Sequence, residues 1–150
     1  MRKYIIVDIS SSLFIFLFLY TGIMKFLEHD VFISALRKST LLFPFASILS
    51  TLVPFLELLT AISLMINRTR RFGLYSFFAM MSIFTIYIGF MLYFQSDLPC
   101  TCGGIIKYMN WHQHFYFNSG FTVLAILALW LDKKLKQRDL KQLNKPYYTS

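Results

Sequence analysis

Hydrophobic positions along the chain gather into four long runs, and short polar or basic segments separate them. Each run contains about 20 mostly apolar residues, which is the length that a helix needs to cross the hydrocarbon core of a bilayer. The predicted spanning helices cover residues 5–27, 45–66, 72–95 and 111–131. We therefore predict an all-α membrane protein, a four-transmembrane-helix bundle that forms one domain over residues 1–150.

Two local signals refine the pattern around the second run. Phe32, Ile33 and Leu36 have helical spacing in the segment that joins the first two runs, so we expect a short helix lying in the membrane interface. Pro54 falls inside the second spanning helix. We expect it to kink that helix, because proline lacks the backbone donor that the helix requires.

Composition and charge agree with a membrane location and predict an orientation. Hydrophobic residues make up 57% of the chain, whereas charged residues make up 15%. The net charge of +8 does not point to nucleic acid, because most of the 15 basic residues lie on one side of the predicted membrane. They precede the first helix, separate the second from the third, and follow the fourth. The positive-inside rule then predicts a multi-pass protein of the cytoplasmic (inner) membrane with both termini in the cytoplasm.

The last group of basic residues forms a cytoplasmic tail over residues 132–150. We expect this tail to anchor the topology on a helix that extends beyond the membrane. Docking of the tail to a partner or to acidic lipid is the alternative.

The chain has two cysteines, Cys100 and Cys102, and both lie in "LPCTCGG", within a loop that this orientation places outside the cytoplasm. A disulfide between positions two apart needs a turn and stores strain. Strained disulfides are more oxidising and more labile than structural ones, and so short a ring barely constrains the unfolded chain. The pair therefore favours redox chemistry over a structural cross-link.

Two other interpretations of the cysteines stay open. Soft thiolate and imidazole donors suit Cu(I) or Zn. The chain offers such donors in Cys100, Cys102, His112 and His114, and Met109 adds a soft thioether. Each cysteine can also pair with a different protein, or serve no chemistry at all.

The segment "MNWHQHFYFNSG" leads into the fourth spanning helix directly after the cysteine loop. His114 and Asn118 are four residues apart and share one helix face, with Trp111 on or beside it. A histidine here can take the proton of a thiol and leave the reactive thiolate. We expect His114 to have this role, with His112 as the alternative.

Glu57 and Lys25 are charged residues deep in the predicted spanning helices or at their outer end. Glu57 lies near the middle of the second helix, where an ionisable group is costly and by default functional. Lys25 closes the first helix, where its ammonium can extend to the headgroups. We expect no simple pair between them, because Glu57 lies ~18 Å from the outer end of its helix and Lys25 within one turn of that end. Both would instead shape a polar pocket for a quinone or a proton path.

Several segments, taken in their order, resemble one family. "TGIMKF" ends the first helix, "LVPFLELLTAISL" forms the second, and "CTCGG" and "WHQHFYFNSGFTVLAILAL" follow. From about residue 4 to residue 131 the chain resembles the DoxX/MauE-like redox-associated membrane proteins, and the MauE branch in particular. The matching positions are Gly22, Lys25, Pro54, Glu57, Cys100, Cys102, Trp111 and Asn118.

The resemblance implies a four-helix membrane bundle that helps to mature periplasmic proteins with many disulfides, such as the small subunit of methylamine dehydrogenase. The architecture is also similar to vitamin K epoxide reductase-like proteins, which pass electrons from thiols to a quinone. The chain departs from these patterns in two places. Gly103–Gly104 stands where the family usually has Phe-Gly, and the Cys-x-x-Cys and second cysteine pair of the reductase-like proteins have no counterpart.

Residues and resemblance together predict a membrane-embedded thiol–disulfide redox protein that supports disulfide formation in exported proteins or their maturation. Cys100 and Cys102 would react, and a cofactor, with quinone as the candidate, would contact Glu57, Lys25, Trp111 and Asn118. The expected partners are membrane lipid, an extracytoplasmic client or thioredoxin-like redox protein, and other members of a membrane complex. The alternatives are a non-catalytic assembly or chaperone subunit, and a copper- or zinc-handling site.

Overall fold

Four long helices and one short helix form the computed structural model of the chain, which describes residues 2–39, 41–94 and 110–143. In chain order they are α1 (Arg2–Leu27), α2 (His29–Lys38), α3 (Ala46–Met65), α4 (Arg70–Phe94) and α5 (Trp111–Leu143). One turn of 3-10 helix, Phe43–Phe45, leads into α3. No strand occurs in these three ranges.

All helices except α2 are long and apolar enough to cross a membrane. The candidate spans are Ile5–Leu27, Phe43–Met65, Arg70–Phe94 and His112–Arg138. The predicted all-α membrane fold with four spanning helices is therefore confirmed. The short helix expected before the second span is also present as α2, and its buried residues are Phe32 and Leu36.

α5 continues to Leu143, beyond the predicted end of the fourth span at residue 131. The apolar pattern stops near residue 131, but lysine, leucine, glutamine and arginine dominate the residues that follow, and all four favour helix. Leu135 is 7% exposed, so the extension still packs on the protein at this point. The apolar run therefore ends near residue 131, whereas the helix itself ends at Leu143.

Ion pairs at one end of the bundle connect α4 to its two neighbours. Arg70 Nη2 donates to Asp8 Oδ1 of α1 at 2.5 Å, and Arg71 Nε donates to Asp132 Oδ2 of α5 at 2.9 Å. This end therefore gathers the first turns of α1 and α4 and the later part of α5, as an up-and-down bundle requires. Which side of the membrane this end faces stays a prediction.

The hydrophobic core lies in the half of the bundle near these ion pairs. Phe14 and Phe18 of α1 pack against Phe77 of α4, with ring centroids 4.1 Å and 4.4 Å away. None of the three rings is more than 1% exposed. Small residues allow helices to approach closely in a membrane bundle, and the core includes Ala61, Ala125 and Ala128.

Gly22 marks the height at which α1 and α3 cross. A Cβ atom added there would lie 3.1 Å from Leu58 Cδ2 and 3.3 Å from the carbonyl oxygen of Pro54, so the two helices are in close contact. α1 ends at Leu27, soon after this crossing, whereas α3 begins at Ala46, about two turns before Pro54. α3 therefore extends beyond α1 at the end opposite the ion pairs.

α2 covers this extension of α3. Phe32 and Leu36 of α2 form a small cluster with Ala46 of α3, and all three are buried. α2 is amphipathic, so one face packs on α3 while its charged residues, such as Arg37 and Lys38, remain exposed. The result is a side wall at the end of the bundle where the candidate site lies.

Candidate functional site

A cavity of about 510 Å³ lies at the end of the bundle opposite the Arg70 and Arg71 ion pairs. All five helices contribute to its wall, which is mostly apolar. Its volume falls within the roughly 300–1,000 Å³ of small-molecule sites. The polar and charged residues that line it are Thr21, Lys25, Lys38, Ser39, Glu57, Tyr87, His114 and Asn118.

Lys25 and Glu57 form a buried ion pair in this cavity. Lys25 Nζ donates to Glu57 Oε1, and the two side chains are 8% and 1% exposed. The expectation that the residues do not pair is wrong. It assumed that the two helices end at the same height, whereas the crossing at Gly22 brings Glu57 level with the last turns of α1. The Lys25 side chain also tilts back along α1 toward that level, as helical side chains do.

Aromatic rings and a second carboxylate oxygen complete the surroundings of the pair. Lys25 Nζ lies 5.6 Å from the ring centroid of Phe32 and 5.4 Å from that of Phe84, distances at which a cation is attracted to a ring face. Glu57 Oε2 is buried, and no described residue donates a hydrogen bond to it. The Thr21 hydroxyl also lies close enough to interact with this carboxylate, but its hydrogen bond goes to the Leu17 carbonyl oxygen at 2.9 Å. Glu57 therefore accepts from Lys25 through Oε1, and Oε2 is left without a hydrogen bond from the described residues.

His114 and Asn118 of α5 face the same cavity, as their spacing of four residues predicts. They are 4% and 5% exposed. His112 is exposed on the surface of the bundle. Of the two histidines predicted to act on the thiols, His114 is the one that the fold places with Lys25 and Glu57.

A capping interaction positions the first turn of α5. The Asn110 N–H donates to Gln113 Oε1 at 3.0 Å, and the His114 N–H donates to the Asn110 carbonyl oxygen at 2.9 Å. The first of these bonds is the glutamine half of a capping box, which fixes where a helix begins. Because the helix starts at Trp111, the next turn carries His114 and then Asn118 to the cavity side.

The predicted thiol pair, Cys100 and Cys102, lies outside the described residues, and so does the side chain of Trp111. The chain leaves the described part at Phe94, which ends α4, and re-enters it at Asn110, next to α5. Both points belong to the end of the bundle that holds the cavity. The segment that carries the cysteines is therefore joined at both ends to the end of the bundle that holds the cavity.

The sequence also allows a metal site at the cysteines, and most of its donors lie outside the described residues. Within residues 2–39, 41–94 and 110–143, no group of three or more His, Cys, Asp or Glu side chains is arranged to hold a metal ion. The donors proposed from the sequence include Cys100, Cys102 and Met109, which fall in the part of the chain that is not described.

Sequence reasoning missed the contribution of α2 and the ion pair itself. The spacing of Phe32 and Leu36 predicts the helix, but it does not predict that this helix forms a wall of the site. A usable signal for the pair was present, since buried charges are normally paired and Glu57 in a spanning helix needs a cation. Lys25 lies in another spanning helix and meets that requirement.

The fold and this buried polar cavity define a multi-pass membrane protein with four spanning helices. The family model for methylamine utilisation protein MauE matches residues 3–131, and the chain belongs to this family. The resemblance inferred from the sequence is thus confirmed. No curated protein and no solved structure matched the chain.

Proposed function

We propose that the chain is a membrane-embedded thiol–disulfide redox protein whose Cys100 and Cys102 support disulfide formation in exported proteins. One observation carries this proposal. Lys25, Glu57 and His114 are buried around one cavity at the end of the bundle from which the cysteine segment leaves and to which it returns. Ionisable groups are costly at membrane depth and mark functional sites.

The proposed reaction exchanges one disulfide for another. A thiolate of the client attacks the Cys100–Cys102 disulfide, forms a mixed disulfide with one cysteine and releases the other as a thiolate. The second client thiolate then attacks the mixed disulfide, which closes the client disulfide and frees the remaining cysteine. In balance, two client thiols become a disulfide, and two electrons and two protons pass to the cysteine pair. An external two-electron acceptor must then restore the pair.

His114 and the ion pair have distinct parts in this proposal. His114 exchanges protons with the cysteine thiols, since the thiolate is the reactive form. Lys25 and Glu57 hold the polar end of the cavity in which the external acceptor binds. In this arrangement the cysteine loop faces the outside of the cytoplasmic membrane and both termini lie in the cytoplasm.

The partners follow from the same chemistry. Client proteins need reduced cysteines outside the cytoplasm, and a thioredoxin-like redox protein can stand between them and the pair. The four spanning helices require a lipid environment. A MauE-family protein of this size is also expected to act within a larger membrane complex.

Single-cysteine variants test the proposal. Cys100→Ser and Cys102→Ser each leave one thiol and no disulfide, so the remaining thiolate can react only with a disulfide that is already closed in a client. The attack forms a mixed disulfide and releases one client thiolate, and no neighbouring cysteine is left to resolve it. We therefore expect one of the two variants to accumulate a client adduct that disappears on reduction. The double serine variant is the control and should form no such adduct. If the double variant matured exported proteins at the normal rate, the protein would instead be a non-catalytic assembly subunit. A reduction potential of the pair below about −300 mV would also contradict the proposal, because it marks a structural disulfide.

A further inference from the structure

The buried carboxylate of Glu57 has one oxygen with a donor and one without. Oε1 accepts a hydrogen bond from Lys25, whereas Oε2 has no donor within the part of the chain that the structure describes. The nearby Thr21 hydroxyl interacts with the carboxylate but donates to the Leu17 carbonyl oxygen. Glu57 is 1% exposed and lines the cavity. Burial of an acceptor without a donor is unfavourable, and more so for a charged group. The cavity is therefore a place where a ligand that carries a hydroxyl would be stabilised.

The charges around the cavity favour an uncharged polar group on that ligand. Lys25 and Glu57 neutralise each other in direct contact. Lys38 also lines the cavity but is exposed at its edge. Transfer of a further unpaired charge to the buried end would be costly.

The walls favour a ligand that comes from the bilayer. The cavity is lined mostly by apolar side chains, and some of them also reach the outer surface of the bundle. Ile83 is 63% exposed and Ile86 is 72% exposed, and both belong to the cavity lining. In a membrane this surface contacts lipid tails, so an apolar tail on the ligand can continue from the cavity into the bilayer.

We propose that the cavity binds a benzoquinone and its hydroquinone, carried on an apolar tail. A carbonyl oxygen of the oxidised form accepts a hydrogen bond from Lys25 Nζ, and a hydroxyl of the reduced form donates to Glu57 Oε2. Both forms are uncharged and lipid-soluble, and the oxygen changes from acceptor to donor on reduction. A simple aliphatic alcohol would satisfy Glu57 Oε2 but takes up no electrons.

This inference rests on the proposed function, because it names the acceptor that restores the Cys100–Cys102 disulfide. The two cysteine thiols lose two electrons and two protons as the S–S bond forms. The benzoquinone gains the same two electrons and two protons and becomes the hydroquinone. No other oxidant is required for the balance.

A pair of matched ligands tests the binding step apart from the thiol chemistry. The protein is the full chain with both cysteines replaced by serine, reconstituted in lipid nanodiscs, so that no turnover occurs. The probes are a short-chain alkyl hydroquinone and its dimethyl ether, which has the same ring and tail but no hydroxyl. We expect the hydroquinone to bind roughly 10- to 100-fold more tightly, because its hydroxyl reaches a charged acceptor. Equal affinities, the result expected if water alone satisfies Glu57 Oε2, would overturn the proposal.

Three further variants guard against a folding artefact. In Lys25→Met/Glu57→Met both charges are removed together, and the preference for the hydroquinone should disappear. The control, Arg71→Met/Asp132→Met, removes an ion pair at the opposite end of the bundle and should keep the preference. Ala35→Phe fills the cavity and should weaken both probes. An equal loss of preference in the control would overturn the assignment to Glu57.

The proposed function and this inference fail in different ways. If the hydroquinone preference is found but the cysteines do not cycle in cells, the ligand site stands and the redox function falls. If the cysteines of the native chain reoxidise equally fast in membranes that lack quinones, the redox function stands and the quinone is not the acceptor.

Discussion

Separate and joint replacement of Lys25 and Glu57 should have very different effects on stability. The two side chains are 8% and 1% exposed and touch through Lys25 Nζ and Glu57 Oε1. Removal of one partner leaves an uncompensated buried charge, which costs about 3–5 kcal/mol. Replacement of both by apolar residues of similar volume removes the attraction together with the desolvation penalty, and is often neutral or stabilising. We therefore expect Lys25→Met and Glu57→Met each to destabilise strongly, and the double variant to recover most of the loss.

A double-mutant cycle gives the coupling directly. The free energy of unfolding of the four proteins is measured in mixed micelles by titration with a denaturing detergent, with helix content followed by circular dichroism. Two single losses of about 3–5 kcal/mol, with a double variant close to neutral, imply a coupling energy of about 5 kcal/mol or more. Residues in contact usually show about 0.5–3 kcal/mol. The control cycle uses Arg71→Met and Asp132→Met, whose side chains are 42% and 29% exposed. There we expect about 1 kcal/mol or less, as for surface pairs. Additive effects of Lys25→Met and Glu57→Met on the free energy of unfolding would refute the claim that the two residues form a coupled, buried ion pair.

The remaining predictions concern the packing that holds the site in place. Gly73→Ala should destabilise the bundle by about 1–3 kcal/mol, because the added Cβ would lie 2.9 Å from the backbone nitrogen of Leu64. In Gly120→Ala the added Cβ meets no atom within 4 Å, so this variant should be neutral or slightly stabilising. Equal effects of the two glycine substitutions on unfolding in detergent would contradict the close contact between Gly73 and Leu64. Phe14→Ala should cost about 3–5 kcal/mol, since the ring is 0% exposed. Phe16 is 71% exposed, so Phe16→Ala should change stability by about 0.5 kcal/mol or less. Similar unfolding curves for Phe14→Ala and Phe16→Ala would contradict the placement of Phe14 in the core.

The spanning helices could be predicted because bilayer thickness sets the length of an apolar run. The first predicted span, residues 5–27, agrees with the candidate span Ile5–Leu27. The end of the last helix could not be predicted in this way. Beyond residue 131 the chain becomes charged but keeps good helix formers, so α5 continues to Leu143 outside the apolar run.

Part of the candidate site could also be predicted from the sequence. Helix periodicity alone places His114 and Asn118 on one face, and both line the cavity. The contact between Lys25 and Glu57 depends on how far α1 and α3 are shifted along each other. That shift is set by side-chain packing at Gly22 and Leu58, which no periodicity reveals. The roles assigned to the cysteines, to His114 and to the ion pair stay predictions.

The central claim is that Cys100 and Cys102 form a redox-active pair, and their oxidation state in intact cells tests it most directly. Thiols are trapped with acid and labelled with a mass-tagging maleimide before a pulse of dithiothreitol, at its end, and at intervals after wash-out. The account predicts that the pair is reduced by the pulse and returns to the disulfide within minutes, and that Lys25→Met/Glu57→Met slows this return. A pair that stays reduced throughout would contradict the account.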